Sequence, residues 1–216
     1  MKKILMTGFE PFGGESSNPS WEAVSQLDQS LIAGSHRIIG LQLPCEFEAS
    51  LSVLNEALNA LQPEIVIAVG QAGGRCDLSV ERVAINLIDA RIADNAGAQP
   101  IDIPVVPGGP TAYFSSLPLK AIVQELHLQG VPASVSNTAG TYVCNHVFYA
   151  LMHFASQHPG LRSAGFVHIP FMPEQAVRHP GQPSMSLSQV MLGLRLIAET
   201  AVAVRQDVRM SAGTTH

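Results

Sequence analysis

Short uninterrupted apolar runs alternate along this chain with longer stretches whose apolar residues recur every three or four positions. Residues 3–7 (KILMT) and 65–69 (IVIAV) are runs of the first kind, each followed by glycine. That pattern predicts strands covered on both faces of a sheet. His36 to Leu43, Ala133 to Asn137 and Gly165 to Ile169 predict further strands.

The helical period appears between them. Asn18-Pro19-Ser20 supplies a cap and a first-turn proline, predicting a helix to about Leu31. Leu51, Leu54, Leu58 and Leu61 predict a helix over 47–61, stopped by Pro63, and residues 118–128 predict a shorter one. From 141 onward, Val143, Val147, Ala150, Leu151 and Phe154 form one apolar stripe. A last helix runs from near Ser186, with Gln189 completing a capping box, to about Val204. Strands alternating with helices predict an α/β sandwich with helices on both faces of a sheet. No linker, repeat or charge block interrupts it, so residues 1–216 read as one domain. Residues 70–115 are less regular and follow a buried strand, where sites of such sheets form.

Composition adds three constraints. Hydrophobic residues make up 46% and charged residues 13%, so neutral side chains cover much of the surface and self-association is expected. The net charge of −5, with no basic run beyond Lys2-Lys3, argues against a nucleic-acid partner. No stretch approaches the roughly 20 apolar residues of a membrane span. The apolar run after Lys3 is broken at Thr7-Gly8, too early for a secretory segment, so a cytoplasmic protein is expected. Cys45, Cys76 and Cys144 are an odd number of thiols, which argues against a disulfide framework there.

Candidate chemistry starts at Cys144. Small and polar residues, Asn137 to Thr141, lead from a strand into the helical stripe, which puts Cys144 in the first helical turn. Unpaired N–H groups and the helix dipole there favour a thiolate and suit an oxyanion. A buried structural cysteine is the alternative. His168, in GFVHIP, stands at the carboxyl end of a strand, where an imidazole can take a thiol proton and return it to a leaving amine. The alternative is a core histidine bonded to a carbonyl. Glu81, in SVERVAIN, is an acid among apolar residues that can orient an imidazole. Equally, it can pair with Arg82 at the surface, or join Arg75, Asp89, Arg91 and Asp94 in a structural ion network.

The glycine-rich stretches 8–14 (GFEPFGG) and 70–75 (GQAGGR) lack phosphate-loop and dinucleotide spacing. They read as places where backbone approaches a small ligand, with Phe9 and Phe12 as an apolar wall. No spacing of zinc ligands is present, and neither a metal nor an organic cofactor is expected.

These segments, with PSMSL at the start of the last helix, resemble the type I pyroglutamyl peptidases, also called pyrrolidone-carboxylate peptidases, an intracellular cysteine peptidase family. TGFEPFGGESSNPSWEA is similar to its N-terminal signature, GQAGGRCDLSVERVAIN to its glutamate segment, SNTAGTYVCNHVFY to its nucleophile segment and GFVHIPFMPEQ to its histidine segment. Ala93 stands where the family usually has proline. The resemblance implies a three-layer α/β/α domain with a mixed, mostly parallel sheet, similar to phosphorylase/hydrolase-like folds, and a homotetramer. It implies removal of N-terminal pyroglutamate from peptides through a thioester, with Cys144 as nucleophile, His168 as base and acid, and Glu81 as orienting acid. Phe9 and Phe12 would hold the ring, main-chain groups of Gln71 the lactam, and Arg91 would stand near the oxyanion. A cysteine amidohydrolase for another small cyclic amide and a non-enzymatic metabolite-binding module are the rival readings.

Overall fold

The computed structural model describes residues 1–213 and opens with β1 (Lys2–Phe9), α1 (Pro19–Leu27), β2 (Leu31–Ile32), β3 (His36–Leu43) and α2 (Phe47–Leu61). β4 (Ile65–Gln71), β5 (Leu78–Glu81), β6 (Val83–Ile85), β7 (Ala112–Phe114), α3 (Leu119–Leu128) and β8 (Ala133–Ser136) follow. α4 (Val143–Gln157), β9 (Ser163–Ile169), a single turn α5 (Pro173–Ala176) and α6 (Leu187–Ala203) complete it.

Seven strands form one sheet in the order β2-β3-β1-β4-β9-β5-β8. The pairs β3/β1, β1/β4, β4/β9 and β5/β8 are parallel, whereas β2/β3 and β9/β5 are antiparallel, so the sheet is mixed and mostly parallel. Alternation along the strands sends side chains to two separate cores. Ile4, Met6, Ile67 and Val69 pack under α1, α3 and α6, whereas Leu5, Val66, Ala68 and Phe166 pack under α2 and α4. This is the three-layer α/β/α arrangement, and it explains why β4 and β9 read as apolar runs without alternation.

Five expected strands and five helices lie where the periodicity puts them, with one boundary corrected. α1 stops at Leu27 rather than near Leu31, because Gln29 takes a positive φ of 61° and reverses the chain. Asp28 then accepts a hydrogen bond from the Gly40 amide (2.8 Å), and Leu31–Ile32 pair with the start of β3. Ser186 caps α6 as expected, its hydroxyl accepting from the Gln189 amide at 3.3 Å. Periodicity did not predict β5: four residues are too short to display a period, and its place between β8 and β9 comes from long-range pairing.

Contacts at the end of β1 prepare the site. A Cβ on Gly8 would lie 2.6–2.7 Å from the backbone of Ser20 and Trp21, so only glycine lets α1 start against this strand. The Ser20 hydroxyl donates to Asn18 Oδ1 (2.8 Å) and accepts from the Phe9 amide (2.9 Å). The cap of α1 thereby fixes where the Phe9 ring stands. Among the described residues no helix is long and apolar enough to cross a membrane.

Candidate active site

Three elements converge on one end of the sheet: the carboxyl ends of β4 and β9, and the amino end of α4. Cys144 is the second residue of α4, and the capping residue Tyr142 offers no side-chain bond to the first turn. The first-turn N–H groups are thus left to a ligand. Cys144 is half-buried, and its sulfur rests over Gly70: a Cβ on that glycine would lie 2.8 Å from Sγ and 2.8 Å from Cζ of Phe166.

Gly70 is the register partner of His168 on β9. Partners on neighbouring strands lie about 4.8 Å apart with side chains on the same face. The cysteine sulfur therefore occupies the space beside the imidazole. His168 is 4% exposed and its Nδ1 lies 2.8 Å from Glu81 Oε1. The antiparallel pairing of β5 with β9 explains this contact. Ser79 stands opposite His168, so Glu81 is two residues deeper on the same face, at the diagonal position that long side chains can bridge.

Glu81 is 0% exposed. Its Oε1 also receives the Arg75 guanidinium at 3.3 Å, and its Oε2 has no partner among the described residues. Arg75 further donates to the Thr138 carbonyl (3.0 Å), linking the buried acid to the loop that leads into α4. Arg82 turns elsewhere, to Asn137 Oδ1 and the Ala212 carbonyl, so the surface pair with Glu81 does not form. Of the ion network weighed from sequence, only Arg75–Glu81 is present. Asp94 instead accepts from the Phe47 amide at the start of α2 (2.9 Å), and Asp89 and Arg91 form no side-chain bond among the described residues.

Cys144 and His168 share a cavity of about 160 Å³ with Phe9, Phe12, Gln71 and Tyr142, and with two residues that sequence did not single out, Asn18 and Cys45. Arg91 is not part of this lining; it borders an adjoining groove with Phe12 and Tyr142. The Gln71 side chain accepts from buried Gln175 (3.0 Å). Its main chain stands past the end of the β1/β4 ladder, which stops at Thr7–Ala68. Because the Ala72 amide bonds to the Ile169 carbonyl, ladder alternation turns the N–H and C=O of Gln71 away from β9, toward the cavity side.

Burial pushes the Cys144 thiol up, and the nearby Cys45 and Glu81 charges push the same way. Burial thus opposes the thiolate that the helix start favours. Burial likewise raises Cys45, to about 12. No group of three or more His, Cys, Asp or Glu side chains is arranged to hold a metal ion among the described residues.

Gly70 provides a test of this packing. Gly70→Ala is expected to displace Sγ and lower kcat/KM by about 100-fold, at a stability cost of about 1–3 kcal/mol. Steady-state kinetics beside a thermal melt checks it; wild-type kcat/KM would show that Sγ does not act from over Gly70.

The sequence model of the family described as pyroglutamyl peptidase matches residues 2–204. A pyrrolidone-carboxylate peptidase of Erwinia tasmaniensis is 56% identical over 216 residues, covering 100% of both chains. One of Cupriavidus taiwanensis is 58% identical over 217 residues, again covering 100% of both. The crystal structure of pyroglutamyl peptidase I from Bacillus amyloliquefaciens superposes with a TM-score of 0.94 at 49% identity, covering 97% of this chain and 99% of that one. A mutant pyrrolidone carboxyl peptidase from Pyrococcus furiosus superposes at 0.91 with 43% identity, covering 93% and 98%.

Proposed function

Because the chain belongs to the pyroglutamyl peptidase family, we propose that it hydrolyses the bond after an N-terminal pyroglutamyl residue, with Cys144, His168 and Glu81 carrying the reaction. One observation carries the assignment of roles. The Cys144 sulfur lies over the register partner of His168, whose other ring nitrogen is held by a fully buried carboxylate.

His168 donates its Nδ1 proton to Glu81, which leaves Nε2 unprotonated and ready to accept. Attack and proton transfer are coupled: Nε2 takes the Sγ proton as Sγ bonds to the pyroglutamyl carbonyl carbon. The carbonyl becomes an oxyanion, received by the first-turn N–H groups of α4. Collapse breaks the C–N bond, and the imidazolium returns the proton to the departing amine. Water, deprotonated by His168, then attacks the thioester, releasing pyroglutamate and the Cys144 thiol. Glu81 stabilises each imidazolium by charge, and Arg75, 3.3 Å from its Oε1, helps hold the side chain in place.

The cavity suits one small ring. Its volume of about 160 Å³ is comparable with buried apolar cavities of about 150 Å³ that admit benzene. Phe9 and Phe12 supply apolar walls, and the main chain of Gln71 supplies one donor and one acceptor for the lactam. A proline ring has the same size but carries an ammonium at its N-terminus, which the cavity would strip of water without a counter-charge. That costs several kcal/mol, so a pyroglutamyl anilide is expected to be cleaved at least about 1,000-fold faster than a prolyl anilide. Comparable rates would refute lactam recognition. Cleavage of free lactams in place of pyroglutamyl peptides would favour an amidase for small cyclic amides.

The single catalytic domain, the cytoplasmic location and the homotetramer stand as part of the same proposal. Exposed apolar side chains such as Phe114 and Val177 support self-association.

A further inference from the structure

The cavity that holds Cys144 has room for one ring and no more, yet a peptide continues beyond the bond to be cut. Immediately beside it lies a second, more open depression of about 610 Å³, lined by Phe12, Asp89, Arg91, Ile92, Thr141 and Tyr142 and by Gly140. The two share Phe12 and Tyr142 as common walls. Tyr142 caps α4 two residues before the nucleophile, so the groove runs along the stretch of chain that delivers Cys144.

Its frame is built before any substrate arrives. The Asp89 amide donates to the Thr141 carbonyl (3.0 Å), and the Thr141 hydroxyl donates to the Asp89 carbonyl (2.8 Å). The Tyr142 hydroxyl donates to the Ala93 carbonyl (3.0 Å), and the Asn95 side-chain Nδ2 donates to the Pro11 carbonyl (2.9 Å). Three segments, around 11, 89–95 and 141–142, are thus tied into one rim. Inside that rim Ile92 is 44% exposed, and the rings of Phe12 and Tyr142 form its sides. The side chains of Asp89 and Arg91 are unpaired among the described residues, and their opposite charges leave the groove without a net sign.

We propose that this groove is the subsite for the residue after pyroglutamate, and that its apolar floor selects peptides with a large apolar side chain there. The inference rests on the pyroglutamyl peptidase reading and deepens it by naming which peptides are preferred. Placing an aliphatic or aromatic side chain against Ile92, Phe12 and Tyr142 removes apolar surface from water in the bound state and on the way to the transition state. An acidic side chain at that position gains the Arg91 charge but meets Asp89 and an apolar wall, with no net advantage. The Arg91 guanidinium is left as a donor to peptide carbonyls of the departing portion.

The test is a series of pyroglutamyl dipeptide amides in which the second residue is Leu, Phe, Ala or Asp, assayed with wild type, Ile92→Asp and Leu128→Asp. Leu128 is exposed on α3, under the opposite face of the sheet. Wild type is expected to favour Leu and Phe over Asp in kcat/KM by about tenfold or more, the scale of one well-placed apolar contact. Ile92→Asp should erase that ratio, and Leu128→Asp should keep it. A flat series in wild type overturns the subsite while leaving pyroglutamyl hydrolysis intact; no cleavage of any member overturns the underlying reading instead. An equal change in both variants also overturns it. So does an unchanged ratio in Ile92→Asp accompanied by a smaller oligomer in sedimentation, which would make the groove a contact between copies of this chain.

Discussion

Cys144→Ala is expected to lower turnover of a pyroglutamyl anilide by about 10,000-fold or more while the circular-dichroism spectrum stays native. The size follows from what is removed: without Sγ there is no atom to form the acyl bond, and the oxyanion donors and ring cavity alone give only residual catalysis. Stability should change by no more than about 1 kcal/mol, because the side chain is half-buried beside a cavity rather than interlocked in the core. Cys45 makes the control informative, since it lines the same cavity and is a second thiol within reach of the ring. It precedes α2, its amide is bound to Glu10 Oε1, and burial raises its thiol to about 12. Cys45→Ala should therefore keep activity within about tenfold of wild type. If Cys45→Ala were dead and Cys144→Ala active, the nucleophile would be the wrong one of the pair.

The second large effect belongs to Glu81→Gln. The amide keeps the shape of the side chain, but it removes the charge that stabilises the imidazolium and can present an N–H to the histidine, favouring the wrong tautomer. A fall in kcat of about 1,000-fold is expected, with KM changed little. Arg75 loses its ionic partner at 3.3 Å while keeping the Thr138 carbonyl, and a stability loss of about 1–3 kcal/mol follows from weakening this partly buried charge-assisted bond. The melting temperature should then drop by several degrees, given about 2–4 °C per kcal/mol for a chain this long. A large drop in melting temperature with kcat near wild type would make Glu81 a structural acid whose contact with His168 is incidental.

Much of this site was legible in local sequence. Cys144 after a small polar turn, and His168 at the end of an apolar run before Pro170, are positions that helix and strand periodicity fix by themselves. Phe9 and Phe12 follow from a glycine-rich stretch after the first strand. Glu81 was legible only as an acid among apolar residues. Its partner is set by the antiparallel entry of β5 into a mostly parallel sheet, and four residues carry no period that would announce that direction. The place of Asn18 and Cys45 in the cavity escaped for the same reason, because it lies in what the fold brings beside them, whereas Arg75 was legible as a possible ion partner of Glu81. The helix start at Cys144 is visible in sequence, whereas the desolvation that opposes a thiolate there depends on what the fold packs around it.

The His168–Glu81 bond joins residues 87 positions apart, whereas the bond from the Phe9 amide to Ser20 spans 11. On a flexible-chain estimate, closing the longer loop costs about 2 kcal/mol more entropy than closing the shorter one. The aromatic wall of the ring cavity thus belongs to the part of the chain that assembles from its near neighbours, and the acid–base pair to the part that waits for the sheet. By loop closure alone, a refolding chain would fix the Phe9 wall before it joins His168 to Glu81.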